Sequence, residues 1–150
     1  VYIKKAKVLK SVYINKDILD ADVFINLPIA KHHISAIFTS CMKNLIGATY
    51  YMKLFHILGL NQAIADLSLF LKPTINIVDL TKILLTNGPR GPGRIENKDT
   101  IIMGKDIVNL DAYIAKTYFK INPKDIRYIK EASELGIGNI KQDNILHLVL

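Results

Sequence analysis

LNQAIADLSLFLKPTINIVDL, residues 60–80, sets two periodicities side by side. Leu60, Ala63, Ile64, Leu67, Phe70 and Leu71 fall on one stripe of a helix, and Pro73 ends it. TINIVDL, residues 74–80, is β-branched and reads as a buried strand. A helix delivering the chain into a buried strand is the unit from which layered α/β folds are built.

The flanking segments extend the same reading. Upstream, AKVLKSVYI (6–14) reads as a strand, the acidic turn NKDILDAD follows, and VFINLP (23–28) suits a buried parallel strand ended by Pro28. From Ile34 to Ile46 the period is helical, with Ile34, Ile37, Phe38, Cys41 and Leu45 on one face and Gly47 as the stop. Downstream, TIIMG (100–104) reads as a strand, and Asp106 caps a helix running to about Phe119. A further helix spans about Lys124 to Leu135, and NILHLVL (144–150) reads as a last strand. The expected architecture is α/β, a mainly parallel sheet flanked by helices. No repeat or linker divides the chain. With Val1 in place of Met, the expectation is one domain, or the C-terminal part of a larger one whose N-terminal half lies outside this sequence.

Composition narrows the function classes. Half of the 150 residues are hydrophobic and 22% are charged, a globular composition. The formal charge is +7, but Lys4, Lys16, Lys53, Lys72, Lys98, Lys116 and Lys141 are scattered, so a solvated surface is favoured over a nucleic-acid partner. No apolar run reaches the roughly 18 residues of a membrane span. Cys41 is the only cysteine, so the chain has no internal disulfide and no thiolate set for zinc or an iron–sulfur cluster. The default location is cytoplasmic.

NGPRGPGR, residues 87–94, holds two of the three arginines, Arg90 and Arg94. Gly88, Gly91 and Gly93 admit unusual backbone angles, while Pro89 and Pro92 stiffen the loop. Such a loop can present N–H groups and guanidinium forks to an anion, or simply be a rigid turn with solvated arginines. It matches neither a P-loop nor a dinucleotide fingerprint. It begins eight residues after Asp79, which falls near the end of a buried strand, and α/β sheets gather ligands beyond the carboxyl ends of strands.

Further candidates cluster around residues 30–56. On the expected Ile34–Ile46 helix, the side opposite the apolar stripe carries Ser35, Ala36, Thr39, Ser40 and Lys43, a pocket wall with one cation or an ordinary polar face. His33 and His56 are candidates for proton transfer or metal ligation, although their spacing matches no zinc signature. Asp111 sits in the middle of the apolar face of the helix after Asp106. A buried carboxylate there needs a cation, backbone N–H groups or a ligand. Asp66 lies at the edge of its helix's apolar stripe.

Together these stretches resemble the domain-of-unknown-function 362 family. The resemblance rests on DVFINLPIAKHH, TSCMKNLIG, His56, LNQAIADL, PTINIVDL, NGPRGPG, IIMGKDIVNLDAYIA and EASELGIG, in that order, over about residues 20–140. It implies that Lys31, His33, Lys43, Asn44, His56, Asp66, Asp79, Gly88, Pro89, Gly104, Asp106 and Asp111 occupy motif positions. Asn109 and Leu80 depart from the pattern, which has a small apolar residue and often Gly there. It also implies a longer parent chain, in some members with a ferredoxin-like segment, so any iron–sulfur cluster belongs to a segment or partner outside this chain. A fainter likeness, in the His33, Lys43, His56 spacing, is to the lactate racemase family.

The resulting expectation is an enzyme or enzyme subunit binding a small anionic substrate or cofactor at the carboxyl edge of the sheet, redox or racemase-like. Its catalytic candidates are His33, Lys43, His56, Asp79 and Asp111. Its anion-binding candidates are Lys31, Asn44, Gly88, Arg90, Gly91 and Arg94, and its candidate metal ligands are His33 and His56. The alternative is a binding module that docks a redox partner or nucleic acid through a basic surface.

Overall fold

The computed structural model describes residues 1–141 and 145–149. The ends of the expected strand 144–150, Asn144 and Leu150, lie outside the described residues. In chain order the elements begin with α1 (Lys16–Asp20), β1 (Ile25–Asn26), β2 (Ile29–His33), β3 (Ile37–Thr39) and α2 (Cys41–Asn44), the last running into a 3-10 turn, Leu45–Ala48. There follow α3 (Met52–Leu58), α4 (Leu60–Phe70), β4 (Ile75–Leu84), β5 (Ile95–Asn97) and β6 (Thr100–Gly104). The chain closes with α5 (Ile107–Tyr118), a 3-10 turn at Pro123–Asp125, α6 (Arg127–Glu134) and β7 (Leu146–Val149). No helix among the described residues is long and apolar enough to cross a membrane.

The helix, strand and cap over residues 60–118 form as expected, except that Phe70 of the α4 stripe is exposed and β4 runs on to Leu84. The Asp106 carboxylate caps α5 by accepting the N–H groups of Val108 and Asn109, each at 2.9 Å. The fold is α/β, but the sheet is mixed and mostly antiparallel, not mainly parallel. Only β1 and β2 run parallel to β4, while β2–β3, β4–β5, β4–β6 and β6–β7 are antiparallel. The cause is local. Residues 85–94 turn the chain straight back beside β4, and so short a connection cannot carry the crossover that a parallel pair requires.

Two further expectations are corrected. Residues 34–46 form no continuous helix. His33 and Ile37 face each other in a β2–β3 hairpin, and Ile37 takes φ 65°, which leaves Ile34 81% exposed. Residues 6–14 form no strand of the sheet, making only the isolated bridges Tyr2–Ser11 and Ile14–Thr49. That arm is held instead by α4. Asp66 is fully buried and accepts the N–H groups of Lys7, Val8 and Leu9 at 3.0, 2.7 and 2.9 Å, with Gln62 Nε2 at 2.9 Å. Leu9 is thereby sealed in the core.

The two faces of the sheet differ. Alternate residues Ala30, Asn76, Val78, Leu80 and Ile102 are buried, forming one core with the inner sides of α4, α5 and α6. On the other face Ile29, Asp79, Ile101 and Leu148 pair in one row across four strands, and Ile77, Met103 and Leu146 in another. Ile25, Leu27, Ile29, Leu146 and Leu148 on this face are exposed.

Candidate functional site

A cleft of about 350 Å³ opens beside β2, at the border of the exposed sheet face. Its polar wall is Lys31, His33, Thr39, Lys43 and Asn44, and Leu27, Ile29, Ile46, Gly47, Met52 and Pro89 complete it. Four of the residues expected from sequence therefore meet: Lys31, His33, Lys43 and Asn44. The β2–β3 register places Lys31 directly opposite Thr39, and α2 follows at once to bring in Lys43 and Asn44.

His33 has a defined tautomer. It is buried, and its Nδ1 accepts the backbone N–H groups of Ser35 at 3.1 Å and Ala36 at 3.3 Å. An Nδ1 that accepts bears no proton, so the neutral ring carries its hydrogen on Nε2 and presents a donor. Burial, then the charges of Lys43, His56, His32 and Lys31, lower its pKa to about 4. His33 is thus a neutral donor near pH 7, with no free lone pair for a metal ion or a proton. Among the described residues no group of three or more His, Cys, Asp or Glu side chains is placed to hold a metal, so the donor set does not fit one built on His33 and His56.

Lys43 is half-buried, and burial followed by the charge of Lys31 lowers its pKa. Among the described residues the ion pairs are Lys16–Asp20, Arg94–Glu96, Lys98–Glu96, Arg127–Glu131 and Lys130–Glu134, none of which involves Lys31 or Lys43. Two ammonium groups thus share the cleft with no carboxylate. Asn44 is oriented by a run of amides. Asn76 Nδ2 points to the carbonyls of Gly104 and Lys105, Asn26 Nδ2 donates to Asn76 Oδ1 at 2.8 Å, and Asn44 Nδ2 donates to Asn26 Oδ1 at 2.8 Å.

The other expected residues lie around this cleft or away from it. His56 is exposed on α3, one turn beyond Met52, and near enough for its charge to bear on His33. Asp79 is not near a strand end as expected but in the middle of β4, which runs on to Leu84. It is the register partner of Ile29, and its Oδ1 accepts from Thr81 N and Thr81 Oγ1 at 2.8 and 2.7 Å. Asp111 is fully buried, accepting Cys41 N at 2.7 Å and Met42 N at 3.1 Å, so it anchors α2 from behind without lining the cleft. Burial raises its pKa to about 6 against the opposing pull of those N–H groups. Cys41 is buried beside it, and burial raises its thiol.

The Gly/Pro loop contributes backbone and Pro89, but no guanidinium, to the cleft wall. Gly88 N donates to His32 Nδ1 at 3.0 Å, and Ile34 N donates to Gly88 O at 3.3 Å. A Cβ on Gly88 would stand 1.9 Å from the His32 carbonyl oxygen, so only glycine lets the loop dock here. Gly91 takes φ 72° in the turn, where its N–H bonds Asn87 O. Arg94 lies 3.4 Å from Glu96 on the hairpin surface, and Arg90 is exposed.

Thr39 was one of the small residues on the expected helix's pocket wall, but that helix does not form, and it is the β2–β3 register that brings Thr39 opposite Lys31.

A family model described as a domain of unknown function (DUF362) matches residues 1–116, so the chain belongs to that family. No curated protein and no solved structure matches. The spacing likeness to lactate racemases is not shown by these comparisons.

Proposed function

We propose that this DUF362 family member binds a small oxyanion in the cleft beside β2 and acts on it as an enzyme or enzyme subunit. The observation that carries this reading is the pair Lys31 and Lys43 facing one cleft with no carboxylate within ion-pair reach among the described residues. Like charges brought together at a half-buried site are mutually unfavourable, and an anion between them reverses the sign of that interaction. The His33 Nε2–H adds a neutral donor that needs no change of protonation to polarise a bound oxygen.

Proton transfer on the bound anion is the chemistry these residues serve best. Lys43, with its pKa lowered by burial and by Lys31, is the group suited to exchange a proton. His33 orients and polarises, and His56 bears on the site from the rim of the cleft.

Isothermal titration with inorganic phosphate and with acetate tests the reading. Wild type is expected to bind at least one of them, and Lys43→Ala and His33→Ala each to lose about ten-fold or more, the scale of one lost charge-assisted contact. Unchanged affinity in both variants would remove these residues from the site.

A further inference from the structure

We propose that the Thr39 hydroxyl is a direct contact to the bound oxyanion, an inference that rests on the reading of the cleft given above. Thr39 is only 7% exposed, and its Oγ1 is buried without a hydrogen-bond partner. Yet it lies in the cleft wall, opposite Lys31 in the β2–β3 register and beside His33, Lys43 and Asn44.

A buried hydroxyl left unbonded is costly in a folded protein, and a β-strand position that only needed packing would be served by valine at the same volume. The hydroxyl donor is short of an acceptor, and the adjoining wall supplies ammonium and imidazole donors. An oxyanion oxygen lying between Lys31 and Thr39 would satisfy both. Cross-strand partners have Cβ atoms about 5 Å apart, close enough for two side chains to share one ligand atom. The ligand class is therefore one that presents several acceptor oxygens around one centre, a carboxylate or a phosphate.

The test compares Thr39→Val, Thr39→Ser and Lys43→Ala with wild type, by calorimetric titration of inorganic phosphate and of acetate and by thermal melting without ligand. Thr39→Val is expected to weaken binding by about ten-fold, while Thr39→Ser stays within about three-fold of wild type. The Thr39→Val melting midpoint should be no lower than that of wild type, because the hydroxyl removed has no partner in the free protein. Whichever probe shows the larger Thr39→Val effect identifies the oxyanion type the hydroxyl serves. Wild-type affinity in Thr39→Val, alongside lost affinity in Lys43→Ala, would overturn the role of Thr39 and leave the cleft standing. A lowered melting midpoint in Thr39→Val would make the hydroxyl structural, which also overturns it. Wild type that binds neither probe, or Lys43→Ala that binds both as wild type does, would bring down the cleft reading and Thr39 with it.

Discussion

Asp111 Oδ1 accepts the backbone N–H of Cys41 at 2.7 Å, joining the middle of α5 to the first residue of α2. Its other oxygen takes the N–H of Met42 at 3.1 Å. A helix of four residues has no stability of its own, so α2 keeps its place through this clamp. Because α2 carries Lys43 and Asn44, a residue that never touches the cleft decides where two of its walls stand.

Asp111→Ala should destabilise the fold by about 3 kcal/mol or more, since it leaves two buried N–H groups unbonded and opens a void. Asp111→Asn, which keeps one acceptor oxygen, should lose less. Urea unfolding of the two variants checks the order. The oxyanion affinity of folded Asp111→Asn should also fall, which a residue without influence on α2 would not cause.

Asp111 and His33 should oppose each other in the pH dependence of stability. Asp111 is raised from 3.8 to about 6. Its contribution is fully present below 3.8 and is lost as pH rises through about 6, because the folded chain then holds a proton the unfolded chain has released. His33 is lowered from 6.5 to about 4, so its contribution is present above 6.5 and is lost as pH falls through about 4. The two slopes overlap with opposite sign. Urea midpoints of wild type should vary little from these groups across that window, those of Asp111→Asn should climb with pH, and those of His33→Gln should decline. Parallel profiles in the two variants would contradict this account.

Where one element carried its own signal, the sequence was legible. The α4 stripe, the β-branched run of β4 and the Asp106 cap each rest on residues close in the chain, and all three form, although Phe70 of the stripe is exposed and β4 runs past residue 80 to Leu84. Where two elements had to find each other, it was not. Phe38, Cys41 and Leu45 are buried at helical spacing, yet Phe38 belongs to a strand, because the pairing with β2 outweighs a local period. The β-rich segment 6–14 had the composition of a strand, but its Lys7, Val8 and Leu9 N–H groups donate to the two carboxylate oxygens of Asp66, which Gln62 Nε2 also donates to, rather than to a sheet partner. Lys31, His33, Lys43, Asn44 and Asp111 were nameable as candidates and Thr39 stood on an expected pocket wall, but the register that sets Thr39 opposite Lys31 and the α5–α2 contact that engages Asp111 are tertiary.

The clamp on the N-terminal arm gives a separate prediction. Asp66 receives three backbone N–H groups from Lys7 to Leu9, an arrangement that an amide cannot reproduce because it has one acceptor oxygen and a donor in place of the other. Asp66→Asn should therefore cost about 2–4 kcal/mol and release the arm. Hydrogen exchange at Lys7, Val8 and Leu9 should accelerate strongly while exchange in β4 and β6 accelerates far less. Uniform acceleration across the chain would instead mean that the arm unfolds only with the whole domain.

The charge state of Lys43 should govern how binding responds to alkali. An ammonium is required opposite an oxyanion, and burial together with Lys31 lowers the pKa of Lys43 from the ordinary 10.5. Affinity for acetate, whose own charge is constant above about pH 6, should fall as pH rises, with a midpoint below that of an ordinary lysine. Lys31→Ala removes one source of the depression, so its alkaline limb should move to higher pH even though its affinity near neutrality is weaker. Lys43→Arg keeps its charge throughout and should show no such limb, because a guanidinium does not deprotonate in this range. Calorimetric titrations across the alkaline range separate these cases: an alkaline loss that persists unchanged in Lys43→Arg would assign the titration to another group.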